Sequence, residues 1–215
     1  MNRSSKIALG VGVGVGAAWL LTRGSAPFTE GSGAFIFGDQ SVPTEAPVRN
    51  WHETGMGFGG LRDRKRTRGV VLHFSGSPVG SPSSTYRTLI QRNLSVQLAL
   101  GRDGVFYQFC DLNARGIHAN IANDDFLGIE ISGDGHYTAA QVKSLFAGLK
   151  TILRYYGLPW AVPMSGGSVV TGVLPKFEFL SFSGIIGHYM VNPEKTDPGV
   201  NLMQAVATRD PSYVV

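Results

Sequence analysis

Short apolar runs separated by glycine-rich turns make up most of this chain, and one long stretch keeps a helical period. From Thr138 to Tyr156, the residues Val142, Leu145, Phe146, Leu149, Ile152, Leu153 and Tyr156 recur along one face of a helix. Thr138 and Gln141 form a capping box at its start, and Gly157 and Pro159 stop it. The helix carries no chemistry of its own. Gly69 to Phe74, GVVLHF, reads as a buried strand. Alternation places Val70, Leu72 and Phe74 on one face and Val71, His73 and Ser75 on the other. Leu127 to Ser132, LGIEIS, is a second strand in which Leu127, Ile129 and Ile131 face one way. Glu130 projects from the opposite face beside only Gly128 and Ser132, where a pocket has room to form.

Other elements follow from turn signals. VQLAL and VFYQF flank Arg102-Asp103-Gly104 and predict a hairpin over Ser95 to Phe109. Ser81 and Pro82 start a helix that runs to about Arg92. Ile185 to His188 reads as a strand end that delivers His188, and a short helix from about Asn201 to Ala207 follows. The expected fold class is α/β, a mixed central β-sheet flanked by helices, with an N-terminal hydrophobic segment.

Three stretches lack this regularity. Residues 27–50 are rich in Gly, Ser and Pro and read as a linker, ahead of a folded domain at 51–215. Leu61 to Arg68, LRDRKRTR, is either a solvated approach loop or a patch for a polyanionic surface. Trp160 to Ser183 is either a lid or binding wall or a decorative hairpin.

Composition adds bounds. The 215 residues suit one domain with extras. Net charge of +4 is compatible with an anionic partner and equally with simple solubility. The single cysteine excludes an intrachain disulfide and a cysteine-rich zinc site. No nucleotide-binding glycine motif is present, and no nucleic-acid partner is expected. Lys6 and Arg23 bracket an uncharged run that is short against the roughly 20 residues of a membrane span. Residues 1–26 are therefore read as a cleaved signal peptide or a retained membrane anchor, placing the domain at the membrane, the periplasm or the cell wall.

The candidate chemistry gathers in Gly184 to Gly199, which holds His188, Lys195 and Asp197. With His73, two imidazoles and a carboxylate make an adequate zinc set. Spacing alone does not separate such ligands from structural histidines.

Motifs in order do more. VVLHFSGSP (Val70 to Pro78), SVQLALGRDGVFYQ (Ser95 to Gln108), GIHANIANDDFLGIEIS (Gly116 to Ser132) and GHYMVNPEKTDPG (Gly187 to Gly199) occur in sequence. Together they resemble type 2 N-acetylmuramoyl-L-alanine amidases, a family that includes phage lysozyme-like amidases and the peptidoglycan recognition proteins. The resemblance covers about residues 50–207. It implies Zn2+ on His73, His188 and Asp197, Glu130 as general base, Lys195 on the oxyanion, and His118 in the substrate groove. Peptidoglycan is the implied substrate, hydrolysed in wall lysis or remodelling, with a phage lysin or virion-associated enzyme as one setting. A non-catalytic peptidoglycan-binding module or a membrane-anchored virion protein is the alternative. The chain departs from the family at Val96 and Gln97, where tyrosine or histidine is common, and at Ile117, where an aromatic is usual.

Overall fold

The computed structural model of the chain describes residues 33–50 and 59–214. The expected signal or anchor at 1–26 lies outside the described residues. Among the described residues, no helix is long and apolar enough to cross a membrane.

Among the described residues, ten strands and four α-helices form in chain order. They are β1 (Ala34–Phe37), β2 (Gln40–Pro43), β3 (Val48–Asn50), β4 (Gly69–Phe74), α1 (Pro82–Gln91), β5 (Leu98–Leu100), β6 (Phe106–Gln108), β7 (Phe126–Ile131), α2 (Ala139–Tyr156), β8 (Met164–Ser165), β9 (Ser168–Val169), α3 (Lys176–Ser181), β10 (Gly184–Gly187) and α4 (Val200–Thr208). The main sheet has the order β10-β4-β7-β5-β6-β3. All neighbours in it run parallel except the β5–β6 hairpin, so the sheet is mixed as expected.

Side-chain alternation divides the two faces. Leu72, Leu98, Leu100, Leu127, Ile129 and Ile131 join Val142, Leu145, Leu149 and Ile152 of α2 and Leu202 and Met203 of α4 in one large core. A smaller cluster of Tyr86, Leu89, Val96, Ala99 and Phe109 lies under α1. The capping box expected at Thr138 forms with Gln141, and Ser81 caps α1 as expected, in a box completed by Ser84.

The linker expected at 27–50 is corrected over residues 33–50, while 27–32 lie outside the described residues. β1 and β2 pair as a hairpin across Gly38, whose φ of +66 suits glycine, and β3 extends the main sheet beside β6. Phe35 and Phe37 are buried and pack on Phe106, Tyr155 and Tyr156. The strands are too short to show a period, and the glycines and prolines around them mask two aromatic anchors. Gly148, in the middle of α2, serves the same contact. A Cβ there would lie 2.6 Å from the Phe106 ring and 3.5 Å from that of Phe35.

The basic stretch is also more structural than either reading of it. Arg62 is buried and donates to the carbonyls of Phe126 and Leu112 at 2.8 and 2.7 Å. Arg68 pairs with Asp125 and donates to the carbonyls of Phe179, Leu180 and Phe182, pinning α3 to the sheet. Arg64 donates to the Tyr155 carbonyl. The stretch from Trp160 to Ser183 folds into the β8–β9 hairpin and α3, with Val169, Leu174 and Phe179 in the main core.

Candidate metal centre

The site forms at the carboxyl ends of the parallel strands, where open α/β sheets commonly bind ligands. His73 is the second-last residue of β4. In register, it faces Glu130 on β7, and Glu130 in turn faces Ala99 on β5. One row across three strands therefore presents histidine, glutamate and a small residue on the α1 side of the sheet. β10 ends at Gly187, and the chain tightens into a single 3-10 turn, His188–Met190, that turns the His188 ring towards His73. The loop then returns Asp197. Tyr189 N–H donates to the Asp197 carbonyl at 3.1 Å, and the Tyr137 hydroxyl donates to the Pro198 carbonyl at 2.5 Å. Gly199, at φ +93, turns the chain into α4. Gly187 has no room for a side chain, since a Cβ would lie 3.0 Å from the Pro198 ring.

These constraints bring three donor atoms together. The Nδ1 atoms of His73 and His188 are 3.0 Å apart, and Asp197 Oδ2 lies 3.2 Å from the first and 3.0 Å from the second. Zinc bonds of about 2.0–2.1 Å in a tetrahedron put ligand atoms about 3.3 Å apart, so this triangle fits such an ion. All three side chains are buried, and they form the candidate metal group found among the described residues. Burial lowers the pKa of His73, with the Asp197 carboxylate opposing the shift, so its imidazole is held neutral as a ligand must be. Burial also opposes ionisation of Asp197, but hydrogen bonds with His188 and His73 outweigh it and hold the carboxyl well below its ordinary range.

Glu130 stands beside the triangle without joining it. Its Oε2 is buried with no hydrogen-bond partner. Desolvation, and then the charge of Asp197, push its pKa up to about 8, against the pull of Lys195 and Arg92. A carboxylate that titrates near neutrality and keeps an oxygen free is equipped to move protons. Lys195 is half-buried, and its charge acts on both Glu130 and His73.

His118 sits behind His73. Its Nδ1 is 3.0 Å from His73 Nε2, the ring nitrogen turned away from the triangle, and its own Nε2 is 3.4 Å from the Phe126 carbonyl. Two of the departures from the family motif, Val96 and Gln97, are buried, and Ile117 is half-buried. Val96 lies under α1, and Gln97 donates to the Ala114 carbonyl and accepts from Gly128 N–H. Gln97 is thus occupied with backbone. Two contributors were not singled out in the sequence. Tyr137 clamps Pro198, and Arg92, at the end of α1, exerts a charge on Glu130. Neither belongs to a motif, and only the fold brings them to the site.

The model of the N-acetylmuramoyl-L-alanine amidase family matches residues 63–200, well over half of the chain. The chain belongs to that family. Solved structures agree on the fold of this amidase. The endolysin LysCS from Clostridium intestinale is 19% identical, with a TM-score of 0.52 over 71% of this chain and 86% of its own. The hydrolase AmiA from Staphylococcus aureus is 15% identical, with a TM-score of 0.53 over 76% and 83%. The Ph2119 endolysin from a Thermus scotoductus bacteriophage is 17% identical, with a TM-score of 0.52 over 76% and 98%. A search of curated proteins found no match.

Proposed function

We propose that this amidase is a zinc-dependent hydrolase of the bond between N-acetylmuramic acid and L-alanine in peptidoglycan. The observation that carries the reading is the His73–His188–Asp197 triangle with Glu130 on the adjoining strand. Bound there, zinc supplies a Lewis acid that acidifies water and polarises a carbonyl. Glu130 accepts the proton of the attacking water and hands it to the alanine nitrogen as the carbon–nitrogen bond breaks. The Lys195 ammonium offsets negative charge as it grows on the lactyl oxygen. His73, His188 and Asp197 are buried, and Glu130 and Lys195 are half-buried beside them, which limits the bulk water that can compete with these contacts. Residues 1–26 deliver the domain to the membrane or beyond it, where the wall polymer lies. Wall opening, as by a phage lysin, and wall remodelling both fit this placement.

The test is to incubate the protein with murein, with and without a chelator, and score new L-alanine amino termini. Release that disappears on chelation and returns with zinc is expected. Release untouched by metal removal would overturn the mechanism, and none in zinc-replete buffer would overturn the activity. His73→Ala and Asp197→Ala should abolish zinc binding.

A further inference from the structure

The His118 ring occupies a cradle that only glycines leave open. A Cβ on Gly128 would lie 2.9 Å from its Cγ, and one on Gly116 would lie 2.7 Å from its Cδ2. The backbone is fastened as well, since the N–H groups of His118 and Ala119 both donate to the Asn123 side-chain oxygen, at 2.9 and 2.7 Å. The ring is thus fixed in position against His73, with which it makes a perpendicular contact at 5.1 Å between centroids.

We infer that His118 is a positioning residue for the metal ligand His73 rather than a contact for substrate. The proton order follows from the geometry. When the Nδ1 lone pair of His73 faces the triangle, its Nε2 carries the hydrogen and donates to His118 Nδ1. His118 Nε2 then carries a hydrogen in turn, directed at the Phe126 carbonyl. This chain of two imidazoles and a carbonyl fixes both the tautomer and the ring plane of His73. Partners that hold the far nitrogen of a metal-bound histidine commonly contribute about 10–100-fold in metal affinity. Gly116 and Gly128 are part of the same device, because a methyl group at either position displaces the His118 ring.

The inference rests on the zinc reading of the triangle, so the experiment begins with wild type. Zinc affinity of the full chain is measured by competition with a chromophoric chelator, and the cobalt-substituted protein gives a visible spectrum that reports ligand geometry. His118→Ala is expected to lose about 10–100-fold in zinc affinity and to change the cobalt spectrum. His118→Gln, which can accept from His73 and donate to Phe126, should recover most of the loss. Gly128→Ala, which touches no ligand, should weaken zinc binding in the same direction. Circular dichroism identifies any variant that is unfolded, and the folded ones decide the outcome. At saturating zinc, KM for murein fragments should remain at the wild-type value in His118→Gln. Wild-type zinc affinity in His118→Ala with a raised KM would overturn the inference and return His118 to the substrate groove. A wild-type protein that binds no zinc would overturn the metal reading itself, and the inference with it.

Discussion

Glu130 is the residue whose environment is most specific to chemistry. Half-buried and in register with His73, it carries a pKa of about 8 and a buried oxygen with no hydrogen-bond partner, a costly arrangement for a purely structural carboxylate. A dication at the triangle would draw its pKa back towards the working pH. Glu130→Gln should keep zinc affinity and reduce kcat by about 10²–10⁴-fold, as expected for loss of a general base. Metal-free stability supplies an independent sign. The folded carboxyl holds its proton up to about pH 8, whereas the unfolded one releases it near its ordinary value of 4.5. Between those values the folded state binds more protons, so Glu130 lowers stability as pH rises. The melting temperature of metal-free Glu130→Gln, relative to wild type, should therefore climb from pH 5 to pH 8. A flat difference would show that Glu130 ionises freely in the fold.

Elements with strong local signals were legible in the sequence, and those without them were not. α2 announced itself by period and caps, and β4 and β7 by alternation that set His73 and Glu130 each opposite its own strand's apolar row, while the pairing of the two residues emerged only from the register. The approach of His188 and Asp197 to His73 came from motif resemblance, because nothing in the spacing places β10 beside β4. His118 was located by motif, but its place behind His73 depends on two glycines in separate segments, Gly116 and Gly128. The first strands were missed outright. β1 is four residues long, and the Gly38-Asp39 pair between two short runs was its only turn signal. The test of that correction is Phe35→Ala, which empties a fully buried aromatic site against Phe106. It should cost about 3–5 kcal/mol of stability in denaturant titrations. Because Phe35 packs on the face opposite Glu130, the folded fraction should retain zinc affinity. A near-neutral substitution would mean that residues 34–50 are a linker after all.

For the molecule as a whole, the candidate metal group brings distant parts of the chain together. His73 is the second-last residue of β4, the strand next to the β10 edge of the sheet, while His188 and Asp197 lie in the return towards α4, more than a hundred residues later. Without a cation, two imidazole nitrogens and a carboxylate crowd within 3.2 Å, and only protons can mediate between them. A ligand that binds the folded state alone adds about 2.7 kcal/mol when present at a hundredfold over its Kd. A domain of this size moves about 2–4 °C per kcal/mol, so zinc should raise the melting temperature by about 5–11 °C. A chelator should remove that gain, and Asp197→Ala should show no gain at any zinc concentration tested. The effect has a pH sign too. Burial keeps folded His73 neutral below its ordinary pKa, while the unfolded chain takes up the proton near 6.5. The unfolded state then binds more protons, so metal-free stability falls as pH drops through that value. Zinc requires the same neutral imidazole, and its stabilisation should shrink further into acid. Differential scanning with and without zinc from pH 5 to pH 8 measures both slopes. A zinc shift that persists undiminished at low pH would place the ion on carboxylates alone, away from His73 and His188.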